Sequence, residues 1–270
     1  ETGCEERRHI SGLSPERADI IVGGVAAVES VMRHFDANIL RINERGIREG
    51  LIIKSLLKHG MLESGELPTW RTSIETLAAS CHTDRVHCEQ VSRFALEIFD
   101  ALAGEYGFEE RHRQILEGAA MLHDIGYFIS YNKHHKHSYH LIRYANLFDF
   151  TPQEKELMAN IARYHRKALP KQRHENFSRL SEKDQLLTRR LGGILRLADG
   201  LDRRRSQRVR SMDCELGNSQ LRVFLYGDDD LSVELYGGRS KGDLFTQAFN
   251  LDLYLAKRID LEKSRVSKSS

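Results

Sequence analysis

The strongest constraint on the fold is a helical period that runs through the middle of the chain. Between residue 73 and about residue 210, apolar side chains recur three and four positions apart. The stripes fall at residues 86–99, 115–122, 141–147, 157–164 and 186–198. Each stripe gives its helix one apolar face, and such faces pack against each other. The fold class is therefore predicted to be mainly α.

The residues before this region predict the end of an α/β domain. A Ser-Pro-Glu triplet at residues 14–16 is typical of a helix start. A short strand at residues 39–42 and a helix at residues 48–58 follow, and residues 61–76 have the composition of a linker. The order helix, strand, helix makes residues 1–62 a short α/β remnant.

Beyond the helical region the apolar period changes to alternation. Residues 221–225 and 231–235 alternate apolar and polar side chains on either side of a Gly-Asp-Asp-Asp turn, which predicts a β-hairpin. A helix at residues 243–258 and a frayed tail at residues 263–270 are expected after it. Residues 211–262 are therefore predicted to form a small α+β module.

Charge and cysteine content limit the classes of protein to consider. A net charge of +2 with 30% charged residues excludes a uniformly basic nucleic-acid-binding surface. No apolar run reaches the ~18 residues of a membrane span, and the charged N-terminus is unlike a signal peptide. The four cysteines form no C-x-x-C pair, which favours a reducing, cytoplasmic location. Because the chain does not begin with Met, we expect a piece of a longer gene product.

Histidine and aspartate residues on separate helices form a candidate metal site. His123 and Asp124 are adjacent near the end of one predicted helix. His87 lies on an earlier helix, and Asp199 lies at the end of a later one. Imidazole and carboxylate groups suit Mn²⁺, Fe²⁺, Co²⁺, Zn²⁺ and, less well, Mg²⁺, and a carboxylate can bridge two ions. The alternative for the His-Asp pair is a surface or helix-capping role.

Two further histidines extend this candidate site. His137 and His165 lie between the others in sequence, and a set of six ligands can hold a pair of ions. The run at residues 134–140 has a solvated loop as its alternative. Within that run we prefer His137 as a ligand over the other histidines, His134, His135 and His140.

Basic residues gather beside these candidate ligands. Five arginines follow Asp199 closely, namely Arg203, Arg204, Arg205, Arg208 and Arg210. A second set accompanies the histidines, namely Lys136, Arg163, Arg166, Lys167, Lys171 and Arg173. Arginine forks match phosphate oxygens, so a phosphate-rich anion is the predicted ligand. The alternative is a solvated helix end balanced by Asp202 and Asp213, and no groove-reading motif points to sequence-specific nucleic acid.

The order of these residues resembles a known arrangement. His87, His123-Asp124 and Asp199 follow the His, His-Asp, Asp order of the HD superfamily of metal-dependent phosphohydrolases. The segments AAMLHDIGYFIS, HHKHSYHLI, NIARYHRKALPK and LGGILRLADGLDR resemble the C-terminal part of the exopolyphosphatase/guanosine-pentaphosphate phosphatase (Ppx/GppA) family. Because SGLSPERADIIVGG and RINERGIREGLI resemble the segment before it, the resemblance covers about residues 8–255.

The resemblance implies a domain order. Residues 1–62 correspond to the end of an actin-like lobe, residues 73–210 to an HD-type helical domain, and residues 211–262 to the small α+β module. Family members carry an actin-like region with glycine-rich phosphate loops, and no D-x-G-G-G-S loop occurs here. The usual form of the last motif has Ser-His after LDR. Here Arg204-Arg205 stand in that place, so no role of that histidine carries over.

The resemblance also implies roles for individual residues. The metal ligands are expected to be His87, His123, Asp124, Asp199 and His137, holding one or two divalent ions (Mg, Mn, Fe, Co or Zn). Asp124 and His165 are expected to be catalytic. The residues expected to bind phosphate are Lys136, Arg163, Arg166, Lys167, Arg203 and Arg204.

The implied reaction is hydrolysis of terminal phosphoanhydride bonds in inorganic polyphosphate or guanosine pentaphosphate. The alternative is a non-catalytic module that binds polyphosphate or an alarmone for a separate catalytic domain, because the phosphate loops are missing. A homodimer is a further implication of the resemblance. No membrane partner is expected.

Overall fold

The computed structural model describes residues 3–10, 13–40, 46–61, 69–227 and 230–258. These residues are mainly helical and include a small three-stranded sheet, which confirms the predicted fold class. The chain divides into two compact units, Glu1–Ser64 and Gly65–Ser270. The domain boundaries expected at 62, 73 and 210 remain predictions.

Helices form most of the described part of the first unit. They are α1 (Cys4–Arg7), α2 (Ile21–His34) and α3 (Ile47–Lys58). Helix α3 agrees with the helix predicted at residues 48–58. The helix start predicted at residues 14–16 is wrong, because Pro15–Arg17 form only a 3-10 turn and the Ser14 side chain makes no capping hydrogen bond to it.

The first half of the strand predicted at residues 39–42 is not observed. Ile39 and Leu40 have no regular structure, and both side chains are exposed. Arg41 and Ile42 lie outside the described residues. In α2 no residue is buried within the described part of the chain, so the apolar stripe of this helix faces outward.

The second unit begins with a series of helices, four of which (α4, α5, α8 and α10) start at a side-chain cap. They are α4 (Trp70–Ser80), α5 (Arg85–Tyr106), α6 (Glu110–Leu122), α7 (His134–Tyr144), α8 (Pro152–Arg163), α9 (Glu175–Ser178) and α10 (Glu182–Leu201). Thr69 Oγ1 accepts a hydrogen bond from the Thr72 N–H, 3.1 Å away, at the start of α4. This cap starts the helix inside the linker predicted at residues 61–76, so that prediction is wrong from residue 70 onward.

Helix α10 lies at the centre of the second unit. Its buried side includes the fully enclosed Ile194 and Leu197. Helices α5, α6 and α8 all pack against it. A Cβ atom on Gly200 would lie 2.6 Å from the carbonyl oxygen of Gly237, so only glycine permits this close approach of the following part of the chain. The burial places Asp199, one residue earlier, inside the unit.

The sheet departs from the predicted hairpin. Strands β1 (Ser211–Leu216) and β2 (Gln220–Tyr226) are antiparallel, with Met212 opposite Leu225. Residues 232–235 instead belong to α11 (Ser232–Lys241), which Leu231 precedes. The start of α11 is held by the Asp230 carboxylate, which accepts a hydrogen bond from the Ser232 N–H at 3.0 Å. The alternation at residues 211–216 is as regular as that at 231–235, and apolar side chains four apart also suit a helix.

The last described part of the chain is a helical crossover followed by a strand, rather than a single helix. Helix α12 (Asp243–Phe249) stops at Asn250, whose φ of 52° is left-handed, and β3 (Asp252–Arg258) follows. Strand β3 pairs in parallel with β2, which gives the sheet order β1-β2-β3. The helix predicted at residues 243–258 is therefore wrong after Phe249, because a parallel pair needs a long connection and α11 and α12 provide it. The tail at residues 263–270 lies outside the described residues.

No described helix combines the length and the apolar character that a membrane-crossing segment requires.

Candidate metal centre and cationic cavity

Helix ends bring the candidate ligands together in the second unit. His87 lies in the first turn of α5, and His123 and Asp124 directly follow the last residue of α6. Asp199 is in the last turn of α10, and all four side chains are buried. His165 follows α8 and is 1% exposed. The structure therefore places the residues of the His, His-Asp, Asp order, together with His165, in one cluster.

Asp124 stands between two groups of histidines. In the first group, the ligand atoms of His87, His123 and Asp124 lie within 4.8 Å of one another. In the second group, the same holds for Asp124, His134 and His165. Asp124 Oδ2 is 3.6 Å from His123 Nε2, and Oδ1 is 3.3 Å from His134 Nε2. The two oxygens of one carboxylate thus face different groups.

Three of these imidazoles are oriented by the same kind of contact, a hydrogen bond to the backbone carbonyl three residues earlier. His123 Nδ1 donates to the Ala120 carbonyl at 2.6 Å, His165 Nδ1 to that of Ala162 at 2.7 Å, and His134 Nδ1 to that of Tyr131 at 3.2 Å. A carbonyl oxygen only accepts, so each Nδ1 carries a proton, and in the neutral ring the lone pair is on Nε2. This is the usual support of a metal-binding histidine.

His87 is oriented by a carboxylate instead. Its Nδ1 lies 2.7 Å from Asp202 Oδ2, and its Nε2 lies 3.5 Å from Asp199 Oδ1. Burial lowers the pKa of His87, but the carboxylates of Asp199 and Asp202 outweigh burial and raise the pKa to about 9. A metal ion bound by His87 would take the place of this proton. Asp202 belongs to the site although the sequence analysis did not select it; its spacing of three from Asp199 was the available signal.

His123, His165 and Asp124 are in the protonation states that metal ligands need. Burial lowers the pKa of both His123 and His165, so these imidazoles are neutral. Burial raises the pKa of Asp124, but the surrounding histidines, His123 first, hold it below its ordinary value. Neutral imidazole and ionised carboxylate are the forms that coordinate cations.

Two buried nitrogen atoms show that the cluster fits a cation. His87 Nε2 and His123 Nε2 have no hydrogen-bond partner within the described parts of the chain. A buried polar atom without a partner costs free energy, which a bound ion would recover. Nitrogen and carboxylate donors in this number suit a first-row divalent ion. The residues present therefore fit the metal that the sequence predicts, although its binding remains a prediction.

Two cationic side chains contact the carboxylates of the cluster. Arg205 Nη2 donates to Asp124 Oδ2 at 2.5 Å, and Lys241 Nζ forms an ion pair with Asp199 Oδ2. Neither residue was assigned a role from sequence. Lys241 lies on α11, far from Asp199 in the chain, so no local pattern could have connected them. Arg205 was visible only as one member of an arginine run.

The cluster opens into a cavity of about 590 Å³. Its walls include the ligand residues His87, Asp124, His134, His165 and Asp199, together with Tyr127, Tyr131, Arg196, Asp202 and Ser240. Besides Arg196, its basic side chains are Arg166, Lys167, Arg203, Arg205 and Lys241. The positive charge of these side chains attracts anions, and their N–H groups can donate hydrogen bonds to phosphate oxygens.

Half of the predicted phosphate-binding residues line this cavity. Arg166, Lys167 and Arg203 do so. The other three are not in its lining: Lys136 is exposed on α7, Arg163 lies over the Tyr139 and Tyr164 rings, and Arg204 pairs with Asp230 and Glu234. The sequence showed which residues were basic, but the direction of each side chain depends on its helix face.

His137 does not reach the cluster, and His134 lies there instead. Ser138 Oγ donates to the His123 carbonyl at 2.7 Å and accepts from the Gly126 N–H at 2.9 Å. This contact turns the face of α7 that carries Ser138 toward the end of α6. His134 is four residues before Ser138 and shares that face, whereas His137 does not.

Comparison with known proteins gives consistent matches along the chain. A model described as Ppx/GppA phosphatase, domain III, matches residues 70–233, and one described as Ppx/GppA phosphatase family matches residues 1–59. A curated relative is the guanosine-5'-triphosphate,3'-diphosphate pyrophosphatase of Aeromonas salmonicida (strain A449). It is 29% identical over 211 residues, which are 76% of this chain and 40% of the relative. The chain thus spans less than half the length of that relative.

Proposed function

Because the chain belongs to the Ppx/GppA phosphatase family, we propose that it hydrolyses terminal phosphoanhydride bonds through a divalent-metal site centred on Asp124. The proposed substrates are inorganic polyphosphate and guanosine pentaphosphate. The observation that carries the proposal is the shared carboxylate. Asp124 lies between two pairs of oriented histidines on the wall of a basic cavity. The HD-type arrangement expected from sequence is part of this proposal.

The proposed ligands are His87, His123, Asp124 and Asp199 on one side, with His134 and His165 on the other. A divalent cation held there supplies Lewis-acid activation and neutralises charge that develops on phosphate oxygens. His137 is not retained among the proposed ligands.

His165 is the proposed proton carrier of the reaction. Its Nδ1 is fixed on the Ala162 carbonyl, so Nε2 is the nitrogen that faces the cavity, 3.6 Å from Asp124 Oδ1 and 3.4 Å from His134 Nε2. A buried imidazole whose pKa is lowered by burial accepts a proton only from a strong donor. When His165 does not ligate a metal, that nitrogen can hold or return a proton at the cavity wall.

The basic side chains of the cavity are the proposed phosphate holders. Arg166, Lys167 and Arg203 line the wall beside the cluster. Donors that are fixed before the substrate arrives stabilise developing charge at little cost in reorganisation. Two tyrosines, Tyr127 and Tyr131, also line the cavity, and their rings offer a stacking surface for a guanine base.

A second candidate function is a binding module without turnover. Its specific support is the pairing of Arg205 with Asp124 and of Lys241 with Asp199, because these cations already neutralise the carboxylates. Such a cavity would hold polyphosphate or an alarmone by its basic walls alone.

A single experiment separates the two candidates. The purified chain is incubated with polyphosphate, guanosine pentaphosphate or ATP, with Mg²⁺ or Mn²⁺, and released phosphate is measured beside metal content. Under the proposal, metal is bound and phosphate is released, and Asp124→Ala abolishes both. The matched control is Asp100→Ala, which removes an exposed carboxylate paired only on the surface with Arg113. Binding of polyphosphate without metal or turnover would establish the module instead.

A cytoplasmic location and a homodimer are also proposed. The location is supported by the cysteines, since Cys4, Cys81, Cys88 and Cys214 are all free thiols. The dimer rests on family resemblance. Size-exclusion chromatography with light scattering measures the mass in solution and tests it directly.

A further inference from the structure

We propose that Arg205 is a displaceable counter-ion that competes with the metal for Asp124 and thereby sets the metal affinity of the His87–His123 group. This inference rests on the metal site proposed above. It concerns one oxygen atom, Asp124 Oδ2, and the three side chains that approach it. The role is additional to phosphate holding, and it assigns a function to a residue outside the predicted ligand set.

The first observation is that the arginine and the histidines share the same oxygen. Asp124 Oδ2 receives the Arg205 guanidinium at 2.5 Å, and it is also 3.6 Å from His123 Nε2 and 3.9 Å from His87 Nε2. The other oxygen, Oδ1, faces His134 and His165. A cation drawn to Oδ2 by the first pair of histidines therefore meets a positive charge that already uses this oxygen.

The second observation is the conformation of Arg205 itself. Its φ is 53°, in the left-handed region that non-glycine residues adopt at a cost. Its N–H donates to the Asp202 carbonyl at 3.0 Å, which fixes the turn after α10. The backbone is thus held in an uncommon state that directs this side chain onto Asp124.

The third observation is that the surroundings of Arg205 allow its guanidinium to move away from Asp124. Its side chain is 36% exposed, whereas the Asp124 side chain is 4% exposed. Its Nη1 lies 3.5 Å from Asp84 Oδ2, and its guanidinium lies over the Tyr127 ring at 5.7 Å. A guanidinium that gives up Asp124 therefore keeps neighbours at the cavity wall and needs no burial of free charge.

Other cations of the cavity do not have this relationship to Oδ2. Lys241 pairs with Asp199, and Arg166 Nη1 lies 3.1 Å from His134 Nε2 in the second group. For Arg203 no ion pair is found within the described residues, and it lines the same cavity. Arg203 is therefore a matched control, because its removal takes one positive charge from the cavity without freeing Asp124.

The test measures Mn²⁺ affinity by calorimetry for the full chain and for Arg205→Gln and Arg203→Gln. We expect Arg205→Gln to tighten Mn²⁺ binding about tenfold, as loss of a charge-assisted competitor implies, and Arg203→Gln to change it less than threefold. In the Arg205→Gln background, His87→Ala should remove the gain and His134→Ala should keep it. Thermal melts with and without Mn²⁺ give a second readout, in which Arg205→Gln shows the larger metal-induced rise in Tm.

The outcomes separate this inference from the metal site on which it rests. Equal gains in Arg205→Gln and Arg203→Gln would show a general charge effect and overturn the inference, while the metal site stands. Unchanged Mn²⁺ affinity in Arg205→Gln would also overturn the inference and leave the metal site standing. Absence of Mn²⁺ binding in every variant overturns the inference and the proposed site together. If Arg205→Gln does not fold, Arg205→Lys replaces it, and the loss of the guanidinium fork is expected to give a smaller gain of the same sign.

Discussion

The ring of Tyr127 stacks on the ring of His134, with centroids 3.9 Å apart and planes inclined by 29°. Tyr127 belongs to the 3-10 turn after Asp124, and His134 is the first residue of α7. The stack therefore connects the two segments that carry the second histidine group. It also fixes the plane in which His134 Nε2 approaches Asp124.

Loss of this stack should weaken the metal site without removing a ligand. We expect Tyr127→Ala to lower Mn²⁺ affinity about threefold to tenfold, the amount that an aromatic pair of about 0.5–1.5 kcal/mol implies. Tyr127→Phe keeps the ring and should retain the affinity of the unaltered chain. Calorimetric titration of both variants measures the difference. Equal losses in the two variants would assign the effect to the hydroxyl group and contradict the stacking role.

Asp202 is expected to act through His87. Its carboxylate holds His87 Nδ1 at 2.7 Å, so its removal frees the ring to rotate. Outer-shell partners of this kind contribute about 10-fold to 100-fold in metal affinity or activity, and we expect such a loss for Asp202→Ala. Metal content after dialysis is the measurement. Asp100→Ala is the control, and a similar loss in both variants would exclude a specific role for Asp202.

Gly126 is expected to be intolerant of any side chain. A Cβ atom there would overlap the backbone of His134, whereas a Cβ atom on Gly104 in α5 would meet nothing within 4 Å. Gly126→Ala should lower the free energy of unfolding by about 1–3 kcal/mol through overpacking. Gly104→Ala should raise it by up to about 1 kcal/mol through helix propensity. Urea denaturation of the pair tests the packing, and a stable Gly126→Ala protein would contradict it.

Tyr131 offers a way to distinguish the two proposed substrates. Its side chain is 75% exposed and lines the cavity, so its truncation should have little effect on folding. If a guanine base stacks on it, Tyr131→Ala should raise KM for guanosine pentaphosphate about fivefold or more, since base stacking contributes about 1–3 kcal/mol. KM for tripolyphosphate should not change. A parallel rise for both substrates would place the phosphates, rather than the base, against this ring.

Local pattern was sufficient for helices α5, α6, α7, α8 and α10, and it selected most of the candidate ligands that lie together in the structure. His87, His123 and Asp124 each sit at the end of a helix that the apolar period predicts, and Asp199 does so on the most buried helix. Their meeting depends on packing, but the side-chain chemistry already marks them as a set. Metal binding by that set is still a prediction.

Features that depend on distant parts of the chain were not predictable from local pattern. Two segments with equally regular alternation, 211–216 and 231–235, were candidates for the strand that pairs with β2. The structure pairs 211–216 with β2, and the segment after residue 231 is helical. Selection of His134 over His137 depends on Ser138 contacting the His123 carbonyl, which is a long-range contact. Lys241 reaches Asp199 only because α11 crosses α10 at Gly200.

The position of Asp124 between the two histidine groups has a consequence for how such a site changes during evolution. One substitution at residue 124 removes an oxygen from both groups at once, whereas a change at His87 or at His134 affects one group only. Lineages that lose function gradually are therefore expected to lose a peripheral histidine first. Replacement of the shared aspartate would mark lineages in which selection for both histidine groups has ended.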